Sequence, residues 1–208
     1  VAVVGVLILD GYVWGKVTRI SPEAPVPVVH ALKTTHSLGG AANVMRNIVS
    51  LGGNAHAFGV IGEDSDGEEL LSLMASRGID TANVVADARR QTIMKSRVMA
   101  GNQQLLRVDH EDLKPITTKA RKDLVGRLTR MIKARQLKAV IFEDYGKGLL
   151  DGWMLDQVIE EARLSGVIVA LDPNPRHRMT VGGLSLMTPN LSEAYALAGQ
   201  YLPDHHDG

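Results

Sequence analysis

With 208 residues, 45% of them hydrophobic and 22% charged, the sequence has the composition of a globular protein with room for one sizeable core. Lys plus Arg and Asp plus Glu are equal at 23 each, so no global positive field draws in nucleic acid or an anionic membrane, and an anionic ligand must be caught locally. No apolar run reaches membrane-spanning length and there is no cysteine, which excludes a disulfide framework and thiolate metal sites and fits a cytoplasmic location.

In chain order, Val1 to Leu9 reads as one buried strand ending at Asp10; it lacks the basic flank and small-residue cleavage site of a signal peptide. Ala41 to Leu51 has helical spacing and is closed by Gly52-Gly53. Ala55 to Ile61 is a strand. Ser65 or Asp66 then caps a helix whose buried stripe is Leu70, Leu71, Leu73 and Met74, stopped by Gly78. A longer helix starts at Thr117 or Thr118, with Leu124, Leu128 and Met131 as its apolar stripe. Strand Ala139 to Phe142, helix Trp153 to Leu164, strand Val167 to Leu171, a short strand Ser185 to Met187 and helix Leu191 to Leu197 complete the series. Such alternation requires right-handed crossovers, which predicts an α/β fold: a mostly parallel sheet between two helix layers, with ligands beyond the carboxyl ends of the strands. Asp10, Asp144, Asp172 and Asn190 all fall at such ends.

Two stretches depart from the alternation. Tyr12 to His30 carries three prolines in SPEAPVPVV, and Gln91 to Asp109 alternates polar and apolar residues around a turn near Gly101-Asn102. We expect them to form a small β-layer that covers the site as a lid. Prolines and apolar alternation on an exposed sheet predict that a second copy covers it in a homodimer.

Phosphate-binding signatures narrow the chemistry. GYVWGKV at Gly11 to Val17 has three residues between its glycines where a P-loop has four, and Val17 replaces the hydroxyl that would hold magnesium. No GxGxxG follows the first strand, so a dinucleotide-binding crossover is disfavoured. Gly39-Gly40-Ala41-Ala42-Asn43 puts two glycines at the mouth of a helix, where free N–H groups can serve hydroxyl or phosphate oxygens. Taken alone it is equally a tight turn into a helix. Asp10 could accept hydrogen bonds from two sugar hydroxyls, or serve only a turn. His205-His206 and the other histidines show no metal-ligand spacing.

The GGAAN stretch resembles the first signature of the ribokinase (PfkB) family, and Asn190-Leu191-Ser192-Glu193 resembles its NxxE element. With RISPEAPVPVV, GNQQLLRVD, EDYGKG and TPNLSE, the sequence from Val1 to about Gly199 is similar to the heptose 7-phosphate kinases of that family. The resemblance implies a ribokinase-like fold and transfer of the γ-phosphate of ATP, with Mg²⁺, to the anomeric hydroxyl of D-glycero-β-D-manno-heptose 7-phosphate, on the route through ADP-heptose to the lipopolysaccharide core. It places Asp10, Gly39, Gly40 and Asn43 at the sugar hydroxyls. It places Asn190, Leu191, Ser192 and Glu193, with Asp172 of DPN, near nucleotide and magnesium, Glu193 acting on the metal largely through water. A phosphorylated substrate also needs cations. Lys95, Arg97 and Arg107 on the lid hairpin and Lys147 after Asp144 are the candidates, with Gln103 and Asp144 as neutral and acidic partners; strand alternation puts Lys95 and Arg97 on one face.

Two departures from the family pattern matter. Where the heptose kinases read GDVMLDRY this sequence has GVLILDGY, so Val6 replaces an acid and Gly11 a basic residue. The GAGDT-type signature, whose glycines form an anion hole and whose Asp is the base, is not found in the 208 residues. The expectation is an incomplete, truncated kinase domain with no catalytic base of its own and almost no activity. Another PfkB kinase acting on a hexose or pentose phosphate, or a catalytically dead remnant that binds sugar and dimerises, are the alternatives.

Overall fold

The computed structural model describes residues 1–174 and 182–200, so His205-His206 lies outside the described residues. Along these the chain runs β1 (Ala2–Gly5), β2 (Leu7–Ile20), β3 (Pro27–Gly40), α1 (Ala41–Ser50), β4 (His56–Phe58), β5 (Val60–Ile61), α2 (Ser65–Ser76), β6 (Val85–Ala86), β7 (Ile93–Ala100), β8 (Gln103–His110), α3 (Thr118–Lys133), β9 (Ala139–Glu143), α4 (Gly152–Ser165), β10 (Ile168–Asp172), β11 (Leu186–Met187) and α5 (Leu191–Leu197). The central sheet has the order β11-β10-β9-β1-β4 and every pairing in it is parallel.

Alternation along β1 divides the core. Ala2 and Val4 pack with Phe142, Leu124, Leu128, Met154 and Leu155, which puts α3 and α4 on one face. Val3 points the other way, to Ala41, Met45, Leu70 and Met74 of α1 and α2. Each fully buried side chain of this size contributes about 1.5–3 kcal/mol. The result is the expected three-layer α/β/α arrangement. Helix starts follow side-chain caps: Thr117 accepts from the Ala120 amide at 3.1 Å and Asp151 from the Met154 amide at 2.9 Å. The cap of α2 is Asp64, one residue before the expected Ser65 or Asp66. Its Oδ1 accepts from Gly67 N at 2.8 Å while Oδ2 accepts from Thr92 N at 2.8 Å, so a distant loop decides among three competent caps.

The expectation of one strand over Val1 to Leu9 needs correction. β1 stops at Gly5, and after Val6 the chain continues as β2 in a different sheet. The cause lies in tertiary packing: a Cβ on Gly5 would sit 2.7 Å from the Cβ atoms of both Ala41 and Glu143. The Val6 carbonyl leaves the ladder to accept from Ala41 N at 2.9 Å, satisfying a first-turn donor of α1. Asp10 therefore lies within β2 and not at the carboxyl end of a central strand. Ala55 to Ile61 splits in the same way, β4 joining the central sheet and β5 pairing with β6.

The second sheet, ordered β3-β2-β7-β8, is the expected lid, but it is larger than the stretches 12–30 and 91–109. β2 and β3 form an antiparallel pair of 14 residues each, β7 runs parallel to β2, and β7 and β8 form a hairpin that turns at Gly101 with φ 59°.

Candidate active site

The register of the lid brings its polar residues to one face. Asp10 pairs with Lys95 across β2 and β7 and with Ser37 across β3, Tyr12 pairs with Arg97, and Lys95 pairs with Asp109 of β8. Arg97 Nη1 donates to Asp10 Oδ1 at 2.7 Å, with both side chains only about a fifth exposed (22% and 17%). The guanidinium also sits 5.3 Å from the centre of the Tyr12 ring. The hydrogen bond to Asp10 outweighs burial and pushes the Arg97 pKa up. Asp10 thus presents a carboxylate with one oxygen already engaged. Gly39 lies under the other oxygen: any Cβ there would collide with Asp10 Oδ2. Gly40 joins lid to α1 at φ 56° and ψ −139°, a backbone conformation open essentially to glycine. Asp10, Tyr12, Gly39, Gly40 and Asn43 line an open cavity of about 290 Å³ together with Arg46, which lies one turn after Asn43 on the same helix face. Arg46 was legible as the i+3 neighbour of Asn43, although the motif itself does not contain it.

The structure divides the four predicted cations. Arg97 is bound to Asp10, and Arg107 makes a two-pronged contact with Asp109 at 2.7 and 2.9 Å. Lys95 and Lys147 meet instead at Glu111, a residue that no sequence motif marked. Lys147 Nζ donates to Glu111 Oε2, and Lys95 Nζ lies 3.1 Å from Oε1 and 3.7 Å from Asp109 Oδ2. Lys95 and Arg97 share a face as expected, yet they serve separate carboxylates. Gln103 pairs with Ala100 at the hairpin tip, six residues along β8 from Asp109, or roughly 20 Å of extended strand, and is not brought to this group.

At the carboxyl end of the central sheet Asp144 is buried, and its Oδ1 accepts from Gly146 N at 2.8 Å, shaping the turn that aims Lys147. Glu143, also missed, ends β9 in register with Gly5 on one side and Asp172 on the other. It is 6% exposed, and burial followed by the charge of Asp172 pushes its pKa up to about 7. Burial also raises the pKa of Asp172; a hydrogen bond from Thr188 at 3.1 Å opposes this and the charge of Glu193 adds to it. Asn190 and Glu193 form a capping box on α5: Asn190 Oδ1 accepts from Glu193 N at 3.0 Å and from the Ser192 hydroxyl at 2.9 Å, while Glu193 Oε2 accepts from Asn190 N at 2.7 Å. Leu191 is exposed. Among the described residues no three His, Asp or Glu side chains converge as a metal cage. Two carboxylates close enough to repel one another, Asp172 and Glu193, still fit Mg²⁺, which keeps most of its water and takes one or two protein carboxylates.

Comparison with known proteins agrees with this geometry. Over 193 residues the chain is 40% identical to the bifunctional protein HldE of Helicobacter pylori strain J99, covering 93% of this chain and 41% of that protein. Over 200 residues it is 42% identical to HldE of Magnetococcus marinus, covering 96% and 41%. The chain thus spans about two fifths of the length of these relatives. Among solved structures, phosphofructokinase-2 from Escherichia coli in complex with substrates and products superposes with a TM-score of 0.71 at 20% identity, covering 99% of this chain and 65% of the other. The pfkB family carbohydrate kinase model matches residues 1–208, and with its parallel sheet, β-lid and glycine-led α1 the chain belongs to that family.

Proposed function

We propose that the chain is the sugar-binding part of an ATP-dependent kinase for D-glycero-β-D-manno-heptose 7-phosphate, forming the 1,7-bisphosphate for lipopolysaccharide core synthesis in the cytoplasm. The observation that carries this reading is the 38–42% identity to HldE proteins over nearly the whole chain. Asp10 Oδ2, the amides at Gly39 and Gly40, and Asn43 hold sugar hydroxyls. Lys95 and Lys147 attract the 7-phosphate, with Arg97 orienting Asp10 through its hydrogen bond; Asp144 sets the turn before Lys147. Mg-ATP lies toward Asp172 and Asn190 to Glu193, where the metal would neutralise charge on the transferring phosphoryl group. No GAGDT-type sequence occurs in these 208 residues; the part they play on this reading is to bind and orient the sugar.

Homodimerisation through the lid belongs to the same proposal. It is supported by exposed Val17, Ile20, Leu32, Leu106 and Val108 on the lid strands. Calorimetric titration with heptose 7-phosphate, fructose 6-phosphate and ribose tests the substrate. Heptose 7-phosphate is expected to bind most tightly; tighter binding of the hexose phosphate would move the assignment to another sugar kinase of the family.

A further inference from the structure

Charges from three parts of the fold meet at Glu111. Lys95 comes from the lid strand β7, Lys147 from the loop after β9 in the α/β body, and Glu111 from the segment that leads from β8 back to α3. All three side chains are largely withdrawn from water, at 19%, 18% and 17% exposure. Burial alone would raise the pKa of Glu111, but the hydrogen bond from Lys147 and the nearby positive charges of Lys147 and Lys95 outweigh it and hold the carboxyl below its ordinary range. It is therefore an anion at neutral pH. Its Oε1 is buried and has no well-directed hydrogen bond, although the Lys95 ammonium is 3.1 Å away. A carboxylate bonded properly to one ammonium and only placed near the other leaves that second ammonium with donors to spare.

Two mobile ammonium groups converging on an oxyanion form a site that suits a phosphomonoester at least as well as a carboxylate, because a dianion gains more from both charges. There is also somewhere for Glu111 to go. Glu111 itself lines an open cavity of about 690 Å³, together with the cations Arg89, Arg90 and Lys114, the neutral Gln91 and one acid, Asp112. Arg90 there is bonded to the main-chain carbonyls of Lys114 and Asp112 at 2.6 and 2.9 Å, so its charge is held in place.

We infer that Glu111 is an internal stand-in for the substrate's phosphate: without ligand it occupies the anion site between Lys95 and Lys147, and an incoming phosphomonoester dianion displaces it into the neighbouring cavity beside Arg90. The inference rests on the reading above that these lysines face the phosphate of a sugar phosphate. It adds a selection step. A neutral sugar can fill the cavity near Asp10 but cannot displace Glu111. The exchange also matters to the lid, because the phosphate would then join lid to body through Lys95 and Lys147.

The test is calorimetric titration of the wild-type chain and Glu111→Gln with inorganic phosphate, heptose 7-phosphate and the unphosphorylated heptose. Removing the competing charge while keeping the shape should tighten binding of phosphate and of the sugar phosphate roughly fivefold or more, leaving the neutral heptose unchanged. If Glu111→Gln does not fold, Glu111→Asp, whose carboxylate falls a methylene short of its partners, must shift affinity in the same direction. Wild-type preference for the phosphorylated sugar, with no gain or a loss in the variant, overturns the stand-in role and leaves the substrate reading intact. Equal wild-type affinity for both sugars overturns the substrate reading and this inference together.

Discussion

Asp10 has two roles at once in this structure, and they separate experimentally. One oxygen neutralises Arg97 and the other faces the cavity over Gly39. Asp10→Asn should therefore weaken sugar binding about tenfold or more, and it should also cost on the order of 1 kcal/mol of stability, because Arg97 keeps its burial but loses its counter-charge. Calorimetry and urea denaturation read the two effects; unchanged sugar affinity would remove Asp10 from the site. Glu143 gives a pH prediction. Its folded pKa of about 7 stands above the ordinary 4.5, so folding favours the protonated form. That stability is fully present below about pH 4.5, declines as pH rises, and is gone above about pH 7. Glu143→Gln imitates the protonated state. Its advantage over wild type should grow from nothing near pH 4.5 to on the order of 1–3 kcal/mol above pH 7. Parallel stability curves for the two proteins across that window would show that Glu143 ionises normally.

Among the elements, the junction of β1, β2, β3 and α1 does most to place the site. Gly40 holds φ 56°, and a Cβ there would collide with the carbonyl oxygen of Val6, the acceptor of the first free amide of α1. Gly40→Ala should lower stability by about 2 kcal/mol or more and weaken sugar binding, since lid and helix can no longer meet at this angle. Thermal melts with and without ligand will show it; a variant with unchanged melting would mean the junction relaxes freely. The same junction marks where sequence reading succeeds and fails. Thr117 as a cap, the hairpin turn at Gly101-Asn102 and the limits Leu191 to Leu197 follow from local chemistry, and the structure has them. The break at Val6 does not, because the residues on both sides are apolar and buried; a hydrogen bond from Ala41 sets it. In the site, Gly39, Gly40 and Asn43 announce themselves by a motif. Glu111 is made important by a lysine 36 residues away, and Glu143 by its register with Gly5 and Asp172, relations that no local pattern encodes.

For the molecule as a whole, the lid leaves apolar side chains in water, which predicts a dimer by light scattering at micromolar concentration and dissociation on replacing Leu106 or Val108 by Glu. A monomeric wild type would reject the lid as an interface. Binding and catalysis divide along the chain as well. The cavity at Asp10, Gly39 and Asn43 and the lysines around Glu111 are all built by residues 1–147. The proposed nucleotide side rests on Asp172 and a capping box at the start of a seven-residue helix with no buried residue. Among the described residues the proposed sugar side is thus the more fully enclosed by side chains. A ligand that binds only the folded protein stabilises it by mass action, about 2.7 kcal/mol at a hundred times its Kd. Heptose 7-phosphate should accordingly raise the melting temperature more than Mg-ATP at equal concentration. With no GAGDT-type base or anion hole among these residues, positioning alone should yield no appreciable bisphosphate in a coupled assay. Turnover at the rate of an ordinary sugar kinase would place the base within these 208 residues, with Asp144, buried beside Lys147 at the end of β9, as the first side chain to replace.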